Sequence, residues 1–469
     1  MIADLKPYPE YRESGLPWLG KVPEHWKQRR TKFLFRERVQ KGFPEEPMLA
    51  ATQSKGVVRK EEYGSRTVTA TKDLHLLKLV EQGDYVISLR SFEGGIEVAH
   101  SRGIISPAYT VLAPQKEASN GYYTHFFKSP NFIRSLTLFV TGIREGQNID
   151  YERLSRAYLP FPPPDEQAAI VHFLGWANGQ LEKAIRAKLK VIVLLNEQKQ
   201  AIIHRAVTRG LDPSVPLKPS GISWLGDIPE HWELRRVKQV SRILRGKFSH
   251  RPRNDASLYD GSYPFIQTGA VAKASKFITS HNQTLNEKGL AVSKLFPSGT
   301  LVMTIAANIG DVAILTFEAC FPDSIVGFVP SSAADRDYLY MVFLCMKPEL
   351  LREAPVNTQG NLNVERIGGM WMPFPPLPEQ LEIAVGIDRD ILPITTAISR
   401  FEREIELLRE YRTRLVADVV TGKLDVREAA VQLPDEIHEP ELNDADKSLS
   451  EGDEEYGDLL EPIAEELDV

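Results

Sequence analysis

The chain has two cysteines, Cys320 and Cys345, among 469 residues. They form no CxxC pair, which excludes a disulfide framework, and so sparse a use of thiols predicts a reducing, cytoplasmic compartment. No apolar run approaches the roughly 18 residues of a membrane helix. Met1 to Leu16 holds charges with Pro7 and Pro9 and lacks the apolar core of a signal peptide. Catalytic signatures are missing too. Gly15 to Val22 approaches a phosphate loop, GxxxxGK[ST], but Val22 lacks the magnesium-binding hydroxyl and no strand pattern precedes it. A second copy of the segment puts Asp227 where the first has Lys21. Neither GxGxxG, nor the [ND]PP[YF] of amino-methyltransferases, nor a PD…(D/E)xK nuclease constellation is present. The expectation is a protein without a catalytic centre, a metal or a bound cofactor of its own.

What is present is ordinary in bulk and uneven in distribution. Apolar content of 42% and charged content of 26% suit a soluble chain of two or three domains. The net charge of −6 conceals a split. Residues 434–469 carry fifteen acidic residues and one basic residue, Lys447, a balance of −14, leaving 56 basic and 48 acidic residues in 1–433. The body is thus +8, a charge able to approach a polyphosphate, and the acidic tail reads as disordered.

The chain is also written twice. Ser14 to Lys32 (SGLPWLGKVPEHWKQRRTK) and Ser220 to Lys238 (SGISWLGDIPEHWELRRVK) agree at 12 of 19 positions with a constant offset of 206. A closing motif recurs at offset 213, Pro160 to Gln167 (PFPPPDEQ) against Pro373 to Gln380 (PFPPLPEQ). Upstream, Asn148, Glu152 and Arg153 match Asn361, Glu365 and Arg366. Downstream, Val207, Thr208, Leu211 and Asp212 match Val420, Thr421, Leu424 and Asp425. Between opening and closing motifs lie long inserts whose two copies barely resemble each other.

After each closing motif the pattern is helical. Asp165 or Pro378 suits an N-cap or first helical position. Apolar residues follow at Ile170, Leu174, Ala177, Leu181 and Ala184; Lys188 interrupts, and Val191, Leu195 and Ile202 resume. The second copy runs through Ile383, Ile387, Ile394, Ala397, Phe401, Leu408 and Leu415, with Glu404 and Tyr411 as softer members and a kink expected at Pro393. This heptad-like spacing predicts a long antiparallel helical pair; the alternative is two amphipathic helices, each docked on its own domain. The inserts read as mixed α/β. Asp84 to Leu89 and Gly299 to Ile305 resemble short strands leading into the turn segments Phe92–Gly95 and Ala307–Gly310.

The repeated WLG..PEHW..RR opening, the PFPP..EQ closing motif, the helices and the VT.GLD/VTGKLD endings resemble specificity subunits of type I restriction–modification systems, over roughly 14–428. That resemblance implies an α+β fold with two mixed α/β target recognition domains separated by two long helices in an antiparallel coiled coil, a pseudo-twofold repeat. It divides the chain into a first recognition domain (1–160), a helical spacer (161–210), a second recognition domain (211–375), a second spacer (376–428) and the acidic tail (429–469). It also implies a bacterial-defence role in which each domain reads one half of a bipartite double-stranded DNA site. Two methyltransferase subunits would dock on the frame, and motor–nuclease restriction subunits would join them. S-adenosylmethionine, ATP and Mg would belong to those partners, not to this chain. The other reading is a partner-binding scaffold or anti-restriction protein that reads no sequence.

Phosphate contacts give affinity and register, whereas base edges give sequence. Basic clusters follow each opening motif: Arg29, Arg30, Lys32, Arg36, Arg38 and Lys41, then Arg235, Arg236, Lys238, Arg242, Arg245, Lys247, Arg251 and Arg253. The last four are the favoured phosphate contacts, because Gly246, Ser249, His250 and Pro252 suggest a loop. For base reading the turns offer Arg90, Ser91, Arg144, Gln147, Thr304, Asn308, Asn357 and Gln359, since Arg pairs bidentately with guanine and Asn or Gln with adenine. His25 and His231, beside Glu24 and Glu230, find no further ligand at fixed spacing. A Trp-His-Glu packing unit anchoring each domain to the helices is the expectation there.

Overall fold

The computed structural model describes residues 5–53, 55–63, 73–89, 91–118, 121–141, 148–250, 252–306, 308–353 and 362–434. The chain divides into two compact units, Met1–Lys190 with Phe401–Val469, and Val191–Arg400. Both are mixed α/β, and two long helices, Pro164–Arg209 and Leu377–Val420, contribute a segment to each.

In the first unit an opening strand, Lys27–Arg30, pairs antiparallel with a closing strand, Tyr158–Phe161, so the two ends of the insert are zipped together. The Thr31 N–H donates to the Ala157 carbonyl at 2.9 Å just beyond the ladder. Inside the insert, Tyr85–Ile87 forms the strand that DYVISL predicts, with all three side chains buried. It lies in a four-stranded sheet ordered Phe35–Arg38, Thr110–Pro114, Tyr85–Ile87, Glu97–Val98. An aromatic cluster fills the core beside it: Phe35 meets Tyr85 and Tyr123 edge-on at 5.4 and 5.2 Å. Each fully buried ring of this kind contributes about 1.5–3 kcal/mol from burial.

The second unit repeats the zipped ends around a different insert. Glu233–Arg236 pairs with Trp371–Phe374. Beyond it lie a five-stranded sheet, ordered Ser241–Arg245, Ile325–Pro330, Leu301–Thr304, Val312–Leu315, Phe277–Ile278, and a separate four-stranded sheet. The expected strand at Gly299 to Ile305 is Leu301–Thr304, buried at every position. Both cysteines are free, Cys320 buried and Cys345 half-buried.

The long helices begin at Pro164 and at Leu377 followed by Pro378, where a missing N–H costs nothing. Within the first unit they run antiparallel. Arg412 donates to Glu182 at 3.3 Å, and Lys188 pairs with Glu404 while its ammonium lies 5.3 Å over the Phe401 ring. The residue that interrupts the apolar stripe is thus an interhelical ion pair. The buried face matches expectation at Ile170, Leu174, Ala177, Leu181, Ile383, Ile387, Ile394 and Leu415. It departs elsewhere: Ile185 is buried where Ala184 was expected, Ile203 is buried beside the expected Ile202, and Val191 and Tyr411 are exposed. A 3.6-residue turn drifts from a 3.5-residue heptad, and this drift rotates those positions off the seam. Leu377–Val420 continues as a single helix past Pro393, which is exposed.

Candidate nucleic-acid interface

The opening and closing motifs converge on one carboxylate in each unit. In the first, Glu166 Oε1 accepts the Trp26 indole N–H at 2.7 Å and the Tyr8 hydroxyl, while Oε2 lies 2.8 Å from His25 Nε2. In the second, Glu379 Oε1 accepts the Trp232 indole N–H and Oε2 meets His231 Nε2, both at 2.9 Å. Both carboxylates lie in the first turn of a long helix, where the helix dipole favours negative charge. The following glutamines, Gln167 and Gln380, donate to the carbonyls of Pro162 and Pro375 at 2.8 Å each. The Trp-His-Glu unit therefore forms, with a correction to its acid. Glu24 and Glu230 are exposed, and the acceptor is the Glu of the closing EQ.

The VT.G endings complete the clamp. Gly422 has φ +76°, and a Cβ there would meet Pro23 Cδ at 2.4 Å and Trp26 Cη2 at 3.0 Å. Gly210, also at φ +76°, brings its backbone against Trp232 in the second unit. The first clamp has an extra layer that sequence reading missed. Arg427, bidentate on Asp425, lies 5.2 Å over the Tyr8 ring. Burial, and then the bond to Glu166, push the Tyr8 hydroxyl far above the usual phenol range. Ser214 occupies the corresponding place in the second copy, so the repeat carried no signal for this layer.

The expected reading residues separate into three groups. Arg90, Arg144, Gln147, Arg251, Asn357 and Gln359 lie outside the described residues, as do Ala307 and the tail beyond Pro434. Ser91 and Thr304 are turned inward, 1% and 0% exposed, which is a correction to the expectation that they face bases. Ser91 Oγ accepts the Ser88 N–H at 2.8 Å, and Thr304 donates to the Asn308 carbonyl while accepting the Asp311 N–H at 3.1 Å. A hydroxyl buried in a turn is consumed by the backbone it holds. Among the described residues of this set, Asn308 is the one presented outward, on a turn that Lys347 tethers through Asp311 at 2.5 Å.

The favoured cations are partly spent as well. Arg245 Nε donates to the Asp323 carbonyl at 2.9 Å, and Arg253 pairs with the Asp323 carboxylate at 2.6 Å. The structure brings these two together on one acid, with Lys247 exposed between them. Arg38 grips Asp84 bidentately at 2.7 and 3.1 Å. In the first insert, Lys128 donates to the Gln53 and Gly94 carbonyls at 3.0 Å each and pairs with buried Glu97, pinning the Ser91–Gly94 turn. Burial raises the Glu97 carboxyl to about 7, against the pull of Lys128. Among the described residues no group of three or more His, Cys, Asp and Glu could hold a metal, and no helix is long and apolar enough to cross a membrane.

Residues 229–407 match the family described as the type I restriction modification DNA specificity domain. The chain is 22% identical over 442 residues to a putative type I restriction enzyme MjaX specificity subunit of Methanocaldococcus jannaschii, covering 87% of this chain and 96% of that protein. It is 22% identical over 364 residues to the MjaVIII specificity subunit of the same organism, covering 74% and 81%. A solved structure from work on complex assembly and conformational transition of the type I R-M system shares the fold, with a TM-score of 0.60 at 16% identity over 86% of this chain and 99% of the other. Over most of its length the chain is thus similar to specificity subunits of type I restriction enzymes, and its residues 229–407 match the DNA specificity domain of type I restriction modification.

Proposed function

We propose that this protein reads a bipartite, asymmetric double-stranded DNA site, one half with each insert, and presents adenines to two methyltransferase subunits docked on its helical frame. Motor–nuclease subunits would join that complex in the cytoplasm, and S-adenosylmethionine, ATP and Mg would be held by these partners. The observation that carries the reading is one clamp built twice around two unlike inserts, Trp26–His25–Glu166 and Trp232–His231–Glu379. A protein that must change its target while keeping its partners should hold the frame fixed and vary what the frame carries. Direct readout needs such variation, since each base pair shows its own donor and acceptor pattern in the major groove. The pseudo-twofold disposition of the halves and their separation by the helices are part of the same reading. A helix of 46 residues rises about 69 Å, close to two turns of B-DNA. Sequencing adenine methylation in the host with and without this gene tests it. A gapped two-part motif that vanishes on deletion is expected; an unchanged methylome would favour a scaffold that reads no sequence.

A further inference from the structure

Sorting the basic clusters by what each side chain touches leaves four equivalent positions without an acid partner among the described residues, Arg30/Arg236, Lys32/Lys238, Arg36/Arg242 and Lys41/Lys247, of which the first three adjoin the zipped strands. Arg29 pairs with Glu117 and lies 4.4 Å over Phe161; Arg235 pairs with Glu233 at 2.8 Å and lies 4.4 Å over Phe374. Those two arginines serve the zipped strands. Their neighbours Arg30 and Arg236 do something else. Each stands directly across the ladder from an aromatic residue of the closing strand, Tyr158 or Trp371. The guanidinium lies 5.4 Å over the Tyr158 ring and 4.8 Å over the Trp371 ring. Both rings remain about equally open to solvent, at 41% and 40%.

One helical turn follows in each unit, Thr31–Leu34 and Val237–Val240, and its second residue is an exposed lysine, Lys32 or Lys238. The next strand then turns an arginine outward, Arg36 or Arg242, immediately after two buried residues. All three pairs keep the offset of 206. Among the described residues none of the six forms an ion pair, although acids neutralise Arg29, Arg38, Arg235 and Arg253 close by. Lys32, Lys238, Arg36 and Arg242 are exposed, and Arg30 and Arg236 are held by the ring of the closing strand, so that the charge of all six stays without an acid partner among the described residues. An exposed Trp or Tyr ring beneath a guanidinium offers a flat apolar surface with positive charge around it.

We propose that Arg30, Lys32, Arg36 with Tyr158, and Arg236, Lys238, Arg242 with Trp371, form two equivalent binding sites for the phosphodiester backbone of duplex DNA. The proposal rests on the DNA-reading function above. It assigns the sequence-independent contacts that fix register to the frame and to the first strand of each insert, leaving the rest of the inserts to discriminate bases. Equivalence is the point. Inserts that read unlike half-sites cannot share base contacts, but every half-site offers the same phosphates.

The test uses the full chain assembled with its methyltransferase subunits. Binding is measured across salt on a duplex carrying the methylated motif and on a scrambled duplex. Two triple variants are compared, Arg30→Gln with Lys32→Gln and Arg36→Gln, and Arg236→Gln with Lys238→Gln and Arg242→Gln. Each triple should flatten the slope of log K against log salt by about 2.7, at about 0.9 for each phosphate no longer neutralised. The weakening should be the same on both duplexes, with the methylated motif unchanged. If a triple fails to fold, Lys32→Gln and Lys238→Gln alone should each flatten the slope by about 0.9. An unchanged slope in an intact complex overturns the proposal. So does loss of subunit assembly with an unchanged slope, which would make these faces protein-docking surfaces. Failure of the underlying function looks different: the unmodified complex would then bind both duplexes equally.

Discussion

Replacing Glu166 with alanine removes the acceptor of Trp26, Tyr8 and His25 together. Trp26 and Tyr8 are 1% and 3% exposed, so neither donor can turn to water. A buried donor stranded in this way costs about 1–3 kcal/mol. The expected loss is about 3–5 kcal/mol, below the upper sum because alanine also spares the burial of a carboxylate. Glu379→Ala strands only Trp232, since the His231 side chain is 47% exposed and recovers water; its cost is about 1–3 kcal/mol. Glu166 itself is 4% exposed and Glu379 28% exposed, which points the same way. The first clamp should therefore lose roughly twice what the second loses. Glu166→Gln keeps one acceptor oxygen and should cost less, about 1–2 kcal/mol. Urea titration gives the magnitudes. Hydrogen exchange on peptides spanning 20–32 with 156–170, and 226–238 with 369–383, assigns each to its unit. Equal losses below about 0.5 kcal/mol, or unchanged protection of the zipped strands, would refute the clamp as the anchor of the inserts.

Glu97 should give the first unit a pH-dependent stability. Burial raises its carboxyl from an ordinary 4.5 to about 7, so its favourable contribution is complete below 4.5 and is lost as pH rises through 7. The loss across that window is about 3 kcal/mol at roughly 1.4 kcal/mol per pH unit, and Glu97→Gln should flatten it; parallel denaturation profiles would exclude the assignment. Thr304→Val removes the hydroxyl that accepts the Asp311 N–H at 3.1 Å and donates to the Asn308 carbonyl, leaving that N–H only a 3.4 Å bond to the same carbonyl, and should cost about 1–2 kcal/mol, whereas Thr304→Ser should restore most of it, as read by thermal unfolding. Asn308→Ala, on the exposed side of that turn, should change stability by less than about 0.5 kcal/mol yet weaken discrimination between matched and mismatched half-sites. Unaltered discrimination would remove Asn308 from the reading surface.

The repeat made the frame legible because its residues must satisfy one another. A Trp, a His and a Glu that meet in space recur at fixed offsets, whereas the glycines that lie against the two tryptophans, Gly422 and Gly210, stand one residue out of the register of the endings. Sequence proximity misled only about which Glu was meant. The carboxylate beside each histidine in the chain is exposed, and the true partner sits 141 residues from His25 and 148 from His231. The long helices were legible from apolar spacing, which also flagged Lys188 as an interruption without showing that Glu404 answers it. The inserts were the least legible. Residue type identified polar side chains on turns, but Ser91 and Thr304 show that a hydroxyl in a turn serves the backbone as readily as a ligand. A basic count likewise separates no phosphate contact from an internal ion pair; only the placement of Asp84, Glu117, Glu233 and Asp323 does so.

The most direct test of the two-reader account exchanges one insert and leaves the frame alone. Residues 33–147 are replaced by the corresponding insert of another specificity subunit, and the adenine-methylation motif of the host is sequenced. The account predicts that one half of the motif changes to that donor's half while the other half and the spacer stay as they were. A change in both halves, or an active complex with no change in either, would contradict it.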